Sequence, residues 1–311
     1  DDVVEQPHHQ KLPPARDGQA RLTLARFYLA NGFAAEALGM IELVQAQDPG
    51  LKGDAQLTTM RAAADYLMGR YRDAHNELAG PQFDADRHAA LWRGLIDAAM
   101  ENWKDAHTHL EQAYPILPRY GTDWQARADL ADTEAALGLG RLDIADAALN
   151  RGPKTLAPRL ALEKELADAR LMAAEKRYRA AAPHFGALEN SGEEDLAAKA
   201  IFYHTGAALN AGAITPDQAI ETLQRLRFRW RGDSLELKTL RKLAALYFGQ
   251  HRWREGLKSL RVAQQNFSGD ASRQALDEMR AAFVNLYPKG AADKMKPVEA
   301  LAMFFENFDL T

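Results

Sequence analysis

Apolar positions along the chain fall at helical spacing in short stretches that come in couples, with a glycine-bearing or polar break inside each couple. In the first couple Leu24, Ala25 and Tyr28 mark one helical face and Gly32 interrupts it. Ala37, Ile41 and Val44 then mark a second face, and Pro49 ends it. Apolar residues three and four apart form one stripe on a helix, so each couple reads as two amphipathic helices joined by a tight turn. Taking the residue just after the break as a register mark, equivalent positions fall at Ala34, Tyr71, Trp103, Leu142, Tyr178, Thr215 and Trp253, between 32 and 39 residues apart. A period of that size predicts stacked helical hairpins, each too small to bury its apolar face without a neighbour. A length of 311 residues alone would suggest two domains. The repeat overrides that expectation.

The third copy shows the logic. Gly94 lets the first helix approach its neighbour, Trp103 plugs the gap at the turn, Ala106 keeps the backbones close, and Leu110 and Ala113 continue the stripe until Pro118 stops it. The fifth copy repeats this with Ala169, Met172, Tyr178, Ala181, Phe185 and Leu188. The seventh does so with Leu240, Leu243, Ala244, Tyr247, Trp253, Gly256, Leu260 and Ala263. Two copies depart. Pro81 predicts a short second helix in the second copy. In the sixth, Thr215-Pro216-Asp217 inserts a residue and restarts the helix, with Thr215 as N-cap and Pro216 in the first turn. Pro183, inside the second helix of the fifth copy, removes one backbone hydrogen bond and predicts a bend.

This pattern of small, bulky and small residues around a turn resembles the tetratricopeptide repeat, and the resemblance covers almost the whole chain. It implies an all-α fold, a right-handed α-solenoid of about seven helical hairpins, acting as a non-catalytic scaffold for protein-protein interaction. In that family the concave groove is lined by first-helix side chains on the face opposite the second helix. Carried over by the spacing of each copy, the groove positions are Arg26 and Leu29; Tyr66; His88, Leu91 and Leu95; Arg127, Leu130 and Glu134; Arg170; Tyr203 and Asn210; and Lys238, Arg241 and Phe248. Arginine with aromatic residues is the composition that supplies much of the energy at protein interfaces. The four leucines read more simply as packing against the next repeat. The Lys and Asn set with which some family members clamp a C-terminal carboxylate is not reproduced, Asn210 and Lys238 being its only partial matches. The run from Arg227 to Gly232 and the Phe-rich end also look similar to large envelope repeat proteins of alphaproteobacteria, which implies a piece of a larger periplasmic protein.

Composition narrows the rest. Apolar residues make up 47% and charged residues 26%, ordinary for a globular chain. A net charge of −4 gives no overall basic surface for nucleic acid, and no apolar run reaches the roughly 20 residues needed to cross a bilayer. Cysteine is absent, which excludes disulfides, thiolate nucleophiles and thiol metal sites and fits an exported bacterial protein. Residues 1–18, with Pro7, His8, His9, Pro13 and Pro14, show no helical stripe and read as an extended linker ahead of a solenoid over 19–270. Residues 271–311 read as helices that continue or cap it. Met303, Phe304, Phe305, Phe308 and Leu310 make an apolar end, read as a place where further repeats of a longer array stack rather than as a helix folded back.

Motifs for chemistry are missing. There is no His-Glu-x-x-His, Gly-x-Ser-x-Gly or phosphate-binding loop, and no cofactor or metal is expected. Gly138-Leu139-Gly140 opens like a dinucleotide loop, but Asp143 stands where its third glycine belongs, so it reads as a turn. His107 and His109, two apart on a helix, point to different faces and read, with His88, as surface histidines. The most basic stretch alternates Arg225, Arg227, Arg229 and Arg231 with Leu226, Phe228 and Trp230. It reads as a helix end whose arginines favour the negative pole of the macrodipole and are solvated, with an anionic partner site as the alternative. Two rivals to the scaffold reading remain: a helical accessory domain of a cell-wall enzyme whose catalytic domain lies elsewhere, and an array that self-associates through the apolar C-terminal end.

Overall fold

The computed structural model describes residues 14–311. It is all-α: among the described residues sixteen α-helices are joined by turns and short 3-10 segments, with no strand. Seven couples follow the predicted register: α1 (Pro14–Ala30) with α2 (Ala34–Gln47), α3 (Ala55–Leu67) with α4 (Tyr71–Glu77), α5 (Arg87–Ala99) with α6 (Trp103–Ala113), α7 (Thr122–Gly138) with α8 (Leu142–Arg151), α9 (Pro158–Ala174) with α10 (Tyr178–Glu189), α11 (Glu194–Asn210) with α12 (Pro216–Arg229), and α13 (Ser234–Gly249) with α14 (Trp253–Asn266). After them come α15 (Asp270–Leu286) and α16 (Pro297–Glu306). Each second helix begins on its register residue except α12, where Thr215 is the N-cap. Its side chain accepts from the Gln218 N–H while the Gln218 side chain accepts from the Thr215 N–H, a reciprocal capping box.

The turns explain why the register is so firm. A residue with φ near +60° to +80° sits two before each second helix, or four before α12, and the next N–H reaches back across the last turn of the first helix, as from Arg70 to the Asp65 carbonyl at 2.8 Å. This is the Schellman ending. Glycine occupies the position at Gly32, Gly69, Gly140 and Gly212, whereas Glu101, Lys176 and His251 hold it in the other three copies.

The chain divides into two compact units, up to Ala167 and Asp168–Thr311. In the first, α3 packs on α5 and α5 on α7, around a core of Leu78, Phe83, Leu91, Leu95, Ile96 and Leu110. In the second, Ile220, Leu223, Leu226, Leu243 and Tyr247 form one cluster and Leu257, Leu260, Met279, Phe283 and Leu286 another. α4 is short, seven residues, as Pro81 predicts, and α10 runs on through Pro183.

Two boundaries differ from the sequence reading. The sequence pattern extends the linker to residue 18, yet α1 starts at Pro14, because a proline fits the first helical turn, where its missing N–H has no partner to lose. Residues 1–13, with His8 and His9, lie outside the described residues. The C-terminal helix folds back: Met303 and Leu310 are buried among Met279, Phe283 and Leu286. Arg261 clamps it, donating to Asp309 at 2.6 and 2.9 Å and to Asn307 at 3.1 Å. Phe305 and Phe308 stay exposed at 66% and 59%.

Candidate binding surfaces

In the first unit the predicted groove positions converge on an aromatic ridge. Tyr66 on α3 meets Trp92 on α5 edge-on with centroids 6.0 Å apart, and Trp92 meets Trp124 on α7 edge-on at 4.9 Å. The Arg127 guanidinium lies 5.7 Å over the Trp124 ring. Such pairs add to area burial because the positive ring edge, or a cation, faces a negative ring face. Burial pushes the Tyr66 hydroxyl up to about 12, with neighbouring Tyr71 adding to the shift and Arg127 opposing it. Beside the ridge, exposed His88 bonds the Tyr120 hydroxyl through Nδ1 at 2.7 Å, and exposed Arg26 donates to Gln56 at 3.0 Å. Glu134 is half-buried on α7. Leu91 and Leu95 are fully buried and Leu29 packs between two core clusters, so these leucines belong to packing.

Trp92 and Trp124 are absent from the sequence-derived set. The ridge crosses the helices diagonally: relative to the register residue of its own copy, each successive aromatic lies about two turns earlier. Transfer of the same positions from copy to copy therefore selects Tyr66 and Arg127 and neither tryptophan.

In the second unit the two predicted arginines are paired. Arg170 stacks 4.1 Å over the Tyr203 ring, Arg241 is ion-paired to Glu278, Lys238 is half-buried, and Asn210 is exposed at the end of α11. Phe248 does not belong with them. Its ring packs on Trp253 at 5.5 Å and fills the space over Gly256, where an added Cβ would come within 2.2 Å of it. The reason is its place one turn from the hairpin bend, where a first-helix side chain meets its own second helix.

The basic run is helical, as read, and its arginines divide by face. α12 ends at Arg229, and Trp230 is tied down by its indole N–H to Asp233 at 2.7 Å. Arg227 and Arg231 flank the 70%-exposed Phe228 ring at 6.0 and 5.6 Å. Arg225 and Arg229 instead line a pocket of about 540 Å³ together with Glu189 of α10, Ile201, His204, Thr205 and Ala208 of α11, Ile214, and Thr222 and Leu226 of α12.

Two histidines read as surface groups are pinned to buried carboxylates. His107 bonds Asp132 at 2.6 Å, and His109 bonds Asp97 at 2.8 Å. The two-residue spacing does send them to different faces, and each face meets a first helix carrying an aspartate: its own α5 for His109, the next α7 for His107. Around Asp132 the Tyr114 hydroxyl donates at 2.7 Å, and Arg151 lies 3.8 Å over the Tyr114 ring, 3.4 Å from Asp129 and 3.6 Å from Asp132. Burial pushes Asp129 up to about 6, against the pull of Arg151 and with a push from Asp132. These contacts tie the buried Asp129 and Asp132 of α7 to groups on α6, on the segment after it and on α8, which makes the cluster a brace between hairpins.

No family model matches the chain, and no curated protein does. Solved structures do. NprR in complex with its cognate peptide NprX superposes with a TM-score of 0.63 at 13% identity, over 89% of this chain and 86% of that one. A Rap protein complexed with competence and sporulation factor gives 0.65 at 13% identity, over 96% and 88%. A tetratricopeptide repeat protein from Parabacteroides merdae gives 0.56 at 9% identity, over 86% and 99%. At such identities the likeness is one of fold, and the fold is that of stacked helical hairpins.

Proposed function

We propose that this chain, tetratricopeptide-like in fold, is a non-catalytic scaffold that holds a peptide or protein segment on the first-helix face of its first unit. One observation carries the reading: across three successive first helices the half-buried Tyr66 and Trp124 rings and the Arg127 guanidinium stand in line around the Trp92 ring, which is 8% exposed and seats them on the core. Aromatic and arginine anchors of this kind dominate binding energy at interfaces. Two of the superposed structures were solved as complexes, one of them with a peptide, which supports the same reading.

The test is selection of displayed random peptides on the whole chain, followed by affinity measurement on Trp124→Ala and Arg127→Glu. We expect each variant to weaken the selected peptides by about tenfold or more, with Arg127→Glu melting as the wild type does. Peptides that bind both variants as tightly as the wild type would move the site off this face.

A self-assembling array is a second reading, favoured by the exposed stripe of Val298, Leu301, Phe305 and Phe308 along and beyond α16. Light scattering that shows a strict monomer up to high concentration would remove it. We place the protein in the bacterial periplasm, on the likeness of the run from Arg227 to Gly232 and of the Phe-rich end to envelope repeat proteins. Recovery of the native protein only in cytosolic fractions would contradict that.

A further inference from the structure

We infer that the pocket between α10, α11 and α12 binds a small amphipathic anion, a single carboxylate or phosphate carried on an apolar body. Ile201, His204, Thr205 and Ala208 fall at i, i+3, i+4 and i+7, so α11 presents one continuous face to the pocket, and Tyr203 lies off that face. Ile201, Ala208, Ile214 and Leu226 supply apolar walls. At about 540 Å³ the space falls within the range of small-molecule sites, roomy enough for an apolar body of roughly ten carbons.

The charges select the sign of the ligand. Arg225 and Arg229 stand one helical turn apart on the α12 wall, a spacing that lets two guanidiniums converge on one anion. Arg229 has no side-chain partner among the described residues, and Arg225 spends one nitrogen on Glu221 at 3.0 Å, an exposed pair that costs little to open. The pocket's own carboxylate, Glu189, is engaged by His204 Nδ1 at 2.7 Å, and that ring is stacked on Phe185. The acid is thereby held within the protein while the cations keep free donors. This site is separate from the first-unit ridge, so its fate and that of the scaffold reading are tested independently.

The experiment is titration of the isotope-labelled chain with decanoate, decyl phosphate and 1-decanol, each below its self-association concentration, read by amide shifts. We expect saturable one-to-one binding of at least one of the two anions, with the largest shifts around Ala208 and Ile214. Decanol and the Arg225→Gln/Arg229→Gln variant should each show binding weaker by about tenfold or more, and the double lysine variant should recover part of it. Both arginines are exposed, so the variants should melt like the wild type. Relative strength of decanoate and decyl phosphate identifies the head group. Equal binding of decanol, shifts outside the pocket, unchanged affinity in the glutamine variant, or no saturation by either anion would each overturn the assignment.

Discussion

At the residue scale, the turns carry the clearest strain. Lys176 adopts φ +65°, a conformation that costs an L-residue about 1–2 kcal/mol and glycine almost nothing. Lys176→Gly should therefore raise stability by about 1 kcal/mol, while Gly140→Ala, at φ +71°, should lose a similar amount, both measured by urea unfolding. A loss on Lys176→Gly would show that the freedom gained by the unfolded chain outweighs the strain relieved. Asp129 offers a second test. Its carboxyl is raised by burial from 3.8 to about 6, so the folded state holds this proton more tightly than the unfolded one. Its contribution is fully present below about pH 4 and is lost as pH rises through 6, a difference of about 1–3 kcal/mol. Asp129→Asn should remove that falling component, so that the wild type minus variant stability difference declines between pH 4 and 6; a difference independent of pH would mean the carboxyl titrates normally. Such groups were not legible in the sequence. His107 and His109 find their aspartates 25 and 12 residues away, on helices whose relative placement no local pattern encodes.

Elements were more legible, because a hairpin repeat writes its stops and starts in local chemistry. The seven second helices begin where small residues and turn chemistry place them, and the capped restart at Thr215 was readable from Thr-Pro alone. The fold-back of α16 was not, since an apolar helix face looks the same whether the next repeat or the previous one covers it. Gly94 and Trp103 show how the elements lock. A Cβ on Gly94 would stand 2.6 Å from Leu110 Cγ and 3.1 Å from its backbone nitrogen, and the backbone cannot retreat. Gly94→Ala should cost about 1–3 kcal/mol by overpacking α5 against α6. Trp103 bridges copies: its indole fills the space over Gly138 of α7, where a Cβ would come within 2.6 Å of the ring. Half-buried as it is, Trp103→Ala should cost about 3 kcal/mol, near the low end for aromatic truncation. Gly138→Ala should then hurt the wild type more than the Trp103→Ala background, by about 1 kcal/mol or more in a double-mutant cycle. Additive losses would place the indole elsewhere.

At the scale of the whole molecule, the architecture was legible from period alone, whereas the candidate site was legible only in part. The repeat positions carried over from copy to copy select Tyr66 and Arg127, but stacked helices are staggered, so the surface they share runs diagonally and takes Trp92 and Trp124 from other positions. The same stacking governs how damage spreads. In the first unit each hairpin leans on its sequence neighbours, α3 on α5, α5 on α7, α6 on α7, and repeat stability is then a sum of local and nearest-neighbour terms. A weakened hairpin should open with its neighbours before the rest of the chain does. Hydrogen exchange on Trp103→Ala should therefore lose protection most in α5 to α8, less in α3 and α4, and least around Met279 and Leu286, which lie in a different core cluster. An equal loss at every protected amide would instead make the chain one cooperative block, in which no hairpin opens ahead of the others and ligand binding at either proposed site would stabilise the whole molecule alike.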